Sequence, residues 1–321
     1  MYDVPVIASN HAVRLGLRAA SRNPELAFGR TLIDQTSALL SLLPVALALM
    51  LIAGADLGSL FATVRALQWP VLGAGITAMA LSLTGGAVFW AGALPLLAAD
   101  VEIDRRPPAG NFALLASRGF TRVLLTQILS QLLSMLVIAA CMLALFVALP
   151  RALLHPSAGR FAAVALVATF AMVLAVLIDL LARLWLLRAA AFGEGVSASF
   201  GKATSLLCAR LGQGLIVTAA FFVLQLIVSA VAGTLGGVFS GGAFFDADVA
   251  LLALAPRIAL GLAFAAVFAW LEVGKMGALA AIVCDAEGLF GPEPVEAQPA
   301  EVVVEGIAVD EVVVEAIPLD E

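Results

Sequence analysis

Charged side chains are scarce in this chain: Asp, Glu, Lys and Arg make up 12% of its 321 residues, about half of the roughly 25% usual in soluble domains. Long stretches must therefore lie where charge is unwelcome. Apolar residues account for 63%, with 28 glycines besides, and the mean hydropathy is +1.09. An ordinary soluble domain is excluded, and an all-α polytopic membrane protein is expected. Basic residues are absent from positions 289–321, which carry nine acidic ones. The low isoelectric point therefore reports a tail, and the body ahead of it is mildly basic. Nucleic-acid binding needs a basic stripe outside the bilayer and a recognisable module, and neither is present. Cysteine is nearly absent too: Cys141, Cys208 and Cys284 show no CxxC spacing, so neither a zinc site nor a disulfide framework follows. His11 and His155 fall on opposite sides of the membrane in the topology below. With no HExxH or GxSxG, no catalytic residue, metal or cofactor is expected.

What the sequence does contain is charge-free runs. A helix crossing about 30 Å of hydrocarbon needs roughly 20 apolar residues, and six segments qualify: 36–55, 71–97, 123–149, 161–187, 213–235 and 257–284. The first has a helix start ahead of it, with Asn23 as N-cap, Pro24 at the first helical position and Glu25 in the first turn. The four arginines before this run make the n-region of a cleaved signal peptide too long, so it is read as a spanning helix. Lys and Arg in the short loops set the orientation. One side holds Arg14, Arg18, Arg22, Arg30, Arg105, Arg106, Arg118, Arg122, Arg188, Lys202 and Arg210; the other holds Arg65, Arg151, Arg160 and Arg257. Both termini are thus expected in the cytoplasm, in a multi-pass plasma-membrane protein of bacterial type. Two parts are expected, a membrane domain over 1–288 and an acidic cytoplasmic tail over 289–321.

An internal echo runs through the body. Gly92-Ala93-Leu94 followed by Asp100-Val101-Glu102 returns as Gly277-Ala278-Leu279 followed by Asp285-Ala286-Glu287, at the same spacing. Spans one, three and five are each preceded by a short amphipathic stretch, so three units of an interfacial helix plus a hairpin of spans are expected. In the first stretch Arg14, Arg18 and Arg22 form a basic stripe, with Val13, Leu17 and Ala20 on another face. In the second, Phe112, Leu115 and Ala116 oppose Arg118 and Arg122; in the third, Phe200, Ala203, Leu207 and Leu211 oppose Lys202 and Arg210. Helices of this kind lie in the headgroup plane, each basic side chain near anionic lipid contributing about 1 kcal/mol. Anionic lipid is therefore an expected partner, and plain positive-inside anchoring is the simpler account of the same residues.

Two ionisable pairs sit inside expected spans: Asp179 with Arg183 at i,i+4, and Glu272 with Lys275 at i,i+3. Both spacings put the partners on one helix face. Intramembrane charges cost roughly 2.5–3.5 kcal/mol each on insertion scales and face a bundle interior or a cavity, which makes these four the candidate site residues; the competing role is to bind helices together. Gly73-Ala74-Gly75-Ile76-Thr77-Ala78 matches the dinucleotide-binding fingerprint in letters, yet it lies in a charge-free run from Ala66 to Ala99 without a βαβ unit, and close helix contact explains its small residues better. After span five, the glycine-rich run from Gly233 to Gly242 leads to Phe244, Phe245, Asp246 and Asp248, and reads as an outer loop with a short interfacial helix capped by Asp246.

The tail opens with Pro292, Pro294 and Pro299 among acidic residues, a disordered linker by composition. Two near-copies of a ten-residue unit follow: Glu301 to Asp310, with Val302, Val303 and Val304, then Glu311 to Asp320, with Val312, Val313 and Val314. Each valine triplet has strong β-propensity and is bracketed by acidic residues that oppose self-association. Such tandem motifs suit strand addition to a cytoplasmic partner's sheet edge, two copies raising avidity. A purely solubilising tail is the alternative.

Glu194-Gly195, then Ser199-Phe200-Gly201-Lys202-Ala203, between two spans, resembles the pattern in the multi-pass membrane domain that accompanies some glycerophosphodiester phosphodiesterases, and in related uncharacterised bacterial membrane proteins. The likeness covers spans four and five. In that family catalysis resembles the task of a separate soluble barrel, for which this chain has no room, so the resemblance implies an accessory membrane domain and carries over no catalytic residue. The expectation is a non-enzymatic membrane scaffold or accessory subunit that recruits a partner through its tail. The alternative is a transporter or channel for a small solute or lipid, its path lined by the four membrane charges.

Overall fold

Inside hydrocarbon every backbone N–H and C=O must be satisfied within its own segment, and a chain of apolar runs without strand pairing meets that demand only as helices. The computed structural model describes residues 7–53, 60–103, 111–154, 157–241 and 254–290. The described residues form helices joined by turns, with no strand. In order these are α1 (Ser9–Arg22), α2 (Pro24–Ala53), α3 (Leu60–Ile103), α4 (Phe112–Leu154), α5 (Ala158–Ala191), α6 (Val196–Ala209), α7 (Leu211–Gly241) and α8 (Leu254–Ala286). Among the described residues five segments are long and apolar enough to cross a membrane: Trp69–Glu102, Phe112–Val147, Phe161–Ala191, Leu211–Gly237 and Pro256–Ala286. The run expected as the first span, 36–55, falls mostly in α2, where side chains from residue 43 onward lie outside the described ones.

Two expectations change here. The second amphipathic stretch is not a separate helix, because Phe112 to Arg122 is continuous with the span that follows it in α4. The glycine-rich run after span five is not a loop at its start, because α7 carries on through Gly233, Gly236 and Gly237 to Gly241. Glycine's helix penalty is set against water, and in an apolar setting the intrahelical hydrogen bonds prevail. Residues 242–253, with Asp246 and Asp248, lie outside the described residues, as do His155 and the tail with its two valine triplets.

The junctions have identifiable causes. Asn23 ends α1 by placing both its backbone N–H (3.2 Å) and its side-chain Nδ2 (2.9 Å) on the Ala19 carbonyl. Pro24 then starts α2, where its missing N–H costs nothing. Asn23 thus closes the earlier helix and its side chain does not cap the later one. Past α5, Gly193 adopts a φ of +66°, which other residues tolerate poorly. Past α8, Leu289 N–H reaches the Cys284 carbonyl and Gly288 N–H that of Asp285, both at 3.0 Å, with Gly288 at φ +69°. This pair of bonds is a Schellman ending.

The core gathers around α8. In the most apolar window of its spanning segment 78% of residues are buried, against 0–17% in the corresponding windows of the other four, and residues 273–285 are buried on every face. A helix apolar all round belongs at the centre, and α1, α2, α3, α5 and α7 all pack on it. On the other spans Leu136, Phe146, Phe170 and Phe222 point outward, a surface that suits lipid tails.

Helix α1 does not simply float in the headgroup plane. Ala12, Gly16, Ala19 and Ala20 are buried, whereas Val13 and Leu17, expected on its apolar face, are half-buried. At Gly16 a Cβ would collide with the Gly274 carbonyl and lie 2.5 Å from the Ala278 nitrogen. Small residues at i, i+4 and i+7 thus let α1 cross α8 backbone to backbone. Replacing Gly16 with valine forces the two helices apart and should destabilise the fold by about 1–3 kcal/mol or more. This would be read as a lowered thermal midpoint of the full chain in detergent; an unchanged midpoint would show that α1 is not seated on α8.

Candidate functional site

The four intramembrane charges come together, but not in the pairs that their sequence spacing implies. On α5, Arg183 Nε donates to Asp179 Oδ2 at 2.8 Å, one turn away, as expected. Glu272 and Lys275 on α8 do not bond each other. Arg183 Nη1 instead crosses to Glu272 Oε1, and Lys275 Nζ crosses to Asp179 Oδ2 at 3.1 Å. Two cations and two carboxylates form one neutral network that ties α5 to α8, which compensates each charge for the hydration it has lost. On α2, Arg30 pairs with Asp34 at 2.9 Å and its guanidinium stacks over Trp90 of α3 at 5.3 Å.

The members differ in exposure. Lys275, Glu272 and Arg183 side chains are 9%, 20% and 21% exposed, whereas Asp179 is 45% exposed. The reason is two cavities that flank α5 and share Ala175 and Asp179. One, of about 310 Å³, lies against α4 and is lined by Ser130, Gln131 and Ser134. The other, of about 370 Å³, lies against α7 and α8 and is lined by Arg183, Lys275, Thr218 and Gln225. Both volumes are at the lower end of the range of ligand pockets. Ser130 and Ser134 stand one turn apart, and Thr218 and Gln225 two turns apart, so each pair shares a helix face. Helical spacing of polar residues inside an apolar run was the signal that could have found them. Asp179 stands twelve residues before the end of α5, or about 18 Å along the axis, so the site sits deep within the span.

A second layer of polar residues closes the end of the bundle where α1 and α6 lie. Arg188 Nη2 bonds Glu287 at 2.5 Å and Nη1 bonds Glu194 at 3.3 Å, while Lys202 reaches Glu194 at 2.7 Å. Trp185 Nε1 donates to the Val196 carbonyl (2.9 Å) and to Ser199 Oγ (3.1 Å). Two buried aspartates have parallel surroundings. Asp100 accepts from Asn23 (3.1 Å) and Arg22 (3.5 Å) where α1 turns into α2. Asp285 pairs with Arg210 (3.2 Å) where α6 turns into α7, and also accepts from the Ile7 N–H (3.3 Å).

Several residues expected to face lipid headgroups also have partners within the protein. Arg22 and Arg210 are held by the two aspartates, and Arg122 donates to the Gly193 carbonyl. Arg14, Arg18 and Arg118 are exposed, and so is Lys202 apart from its bond to Glu194. Gly73 and Gly75 lie inside helix α3, which removes the dinucleotide-loop reading. The alternative of close helix contact does not hold there either, because open space surrounds both positions. Among the described residues no cluster of His, Cys, Asp and Glu could hold a metal ion, and all three cysteines are free. Comparison with protein-family models, with curated proteins and with solved structures gives no match.

Proposed function

We propose that this chain is a non-enzymatic multi-pass membrane protein whose body carries a path for a small solute or lipid, in the manner of a transporter or channel, with Asp179 at its centre. One observation carries the reading: a fully joined charge network has one of its two carboxylates, Asp179, half-exposed where two cavities with hydroxyl and amide side chains in their walls meet. A network whose only task is to bind helices together is most stable when sealed, because polar groups facing hydrocarbon are costly. In this reading the body has six spans in the plasma membrane, both termini in the cytoplasm, and Arg14, Arg18, Arg118 and Lys202 toward anionic headgroups. The matched environments of Asp100 and Asp285 support an ancient repeat of an amphipathic helix followed by a hairpin of spans. The likeness to the membrane domain that accompanies glycerophosphodiester phosphodiesterases is kept as a proposal of common architecture, its motif residues Glu194 and Ser199 serving the α5–α6 junction.

A second reading rests on the tandem unit in the sequence. The tail recruits a cytoplasmic partner by strand addition through Val302 to Val304 and Val312 to Val314, and the body serves as its scaffold.

The path reading is tested by replacing Ser134 and Gln225 singly with cysteine, after the three native cysteines are changed to alanine. In intact membranes a membrane-impermeant thiol reagent should label both, while Phe170→Cys on the outward face of α5 stays unlabelled. Unlabelled cysteines at 134 and 225 would show the cavities to be sealed from water and would leave only the scaffold reading. For the tail, deletion of residues 292–321 should leave membrane insertion and thermal stability intact and abolish co-purification of a bound protein; loss of folding would refute recruitment.

A further inference from the structure

The cavity between α5, α7 and α8 has an unbalanced lining. Arg183 and Lys275 face it together with one carboxylate, Asp179, whereas the compensating Glu272 is not part of its wall. The network as a whole is neutral, but its cations face the cavity while Glu272 meets Arg183 from outside the wall, so an anion entering here meets more positive than negative charge at close range. Thr218 is also on this wall, and its buried Oγ1 has no hydrogen-bond partner, so an acceptor in the cavity that the hydroxyl can turn to meet would stabilise it. The rim consists of Met172, Val176 and Phe222, which are exposed side chains within the spans. Besides any opening to water, the cavity is therefore open along the side of the bundle, toward lipid tails.

Resting on the path reading above, we propose that this cavity receives the anionic headgroup of a membrane lipid that enters sideways. Its phosphate oxygens accept from Lys275, Arg183 and Thr218, and its acyl chains stay outside over Met172, Val176 and Phe222. A phosphate offers several charge-assisted acceptors to Lys275, which otherwise has Asp179, and to Arg183, which Asp179 shares with Glu272. The headgroup and Asp179 thus compete for Lys275, and the two ends of that bond make opposite predictions. A headgroup held this deep is displaced far from the surface plane, as it must be for a lipid passing between leaflets.

The test titrates the delipidated full chain in detergent with dioleoylphosphatidylglycerol, with dioleoylglycerol, which lacks the phosphate, and with inorganic phosphate, following bound species by native mass spectrometry. The expected result is a preference of about tenfold or more for the phosphatidylglycerol over the dioleoylglycerol. Inorganic phosphate should compete only weakly. Lys275→Met should abolish the preference and Lys275→Arg should retain it, which separates charge from folding. Asp179→Asn should strengthen binding several-fold by removing the rival acceptor, a gain that misfolding cannot produce. An unchanged preference in both Lys275→Met and Asp179→Asn would overturn the proposal and assign headgroup binding to the surface arginines. Competition by inorganic phosphate as effective as that of the lipid would also overturn it, in favour of a free anion. Labelled cavities together with either result would leave the path standing and remove only the lipid.

Discussion

An ionised side chain deep in a membrane span has no water to turn to, and this constraint shapes most of the molecule. Asp179, Arg183, Glu272 and Lys275 lie two or more turns inside the ends of α5 and α8, where each alone would oppose insertion by a few kcal/mol. They are tolerable only as a set. Arg183 divides its donors between Asp179 and Glu272, and Lys275 returns to Asp179. The bonds that neutralise the charges also set the register of α5 against α8, because a slip of one turn would leave a cation without an acceptor. The unequal exposure of the four follows from where the neighbouring helices stop covering them: α4 and α7 leave cavities on either side of Asp179.

The same demand recurs nearer the helix ends, in a form that ties short helices to long ones. Asp100 and Asp285 are each buried at the end of a span, and each is met by a residue from the corner where a short amphipathic helix turns into a span. Arg188, almost fully buried, gathers Glu194 and Glu287 from the α5–α6 connection and from the end of α8. Helix α1 completes the arrangement by lying directly on the backbone of α8, an approach that Gly16 permits against the Gly274 carbonyl, Gly277 and Ala278. Central α8 therefore takes part in apolar packing, in the mid-span network and in the corner contacts alike.

Much of this was legible in the sequence, and the rest was hidden for definite reasons. Apolar run length located five of the six expected spans, because a charge-free stretch of that length has few other places to be. The Asp179–Arg183 bond followed from helical spacing. The partners of Glu272 and Lys275 did not, because an i,i+3 rule sees one helix and the winning acceptors stand on another. The basic stripe of α1 was visible, while its packing stripe of Ala12, Gly16 and Ala19 was overlooked, because small residues add little to an amphipathic pattern. Gly233 to Gly241 looked like a loop by a rule calibrated in water. The cavity residues Ser130, Gln131, Ser134, Thr218 and Gln225 carry no full charge and so stand out only by their helical spacing inside apolar runs.

The central claim is that the mid-span charges act as one unit across α5 and α8. A double-mutant cycle on Arg183→Met and Glu272→Gln, read as the stability of the full chain in detergent, tests it most directly. Each single change leaves a partner uncompensated, so both should destabilise. The pair together should cost less than the sum of the two, with a coupling above about 1 kcal/mol. Strictly additive losses would contradict the account, because Arg183 and Glu272 would then be separate charges that share a region of the membrane and no bond.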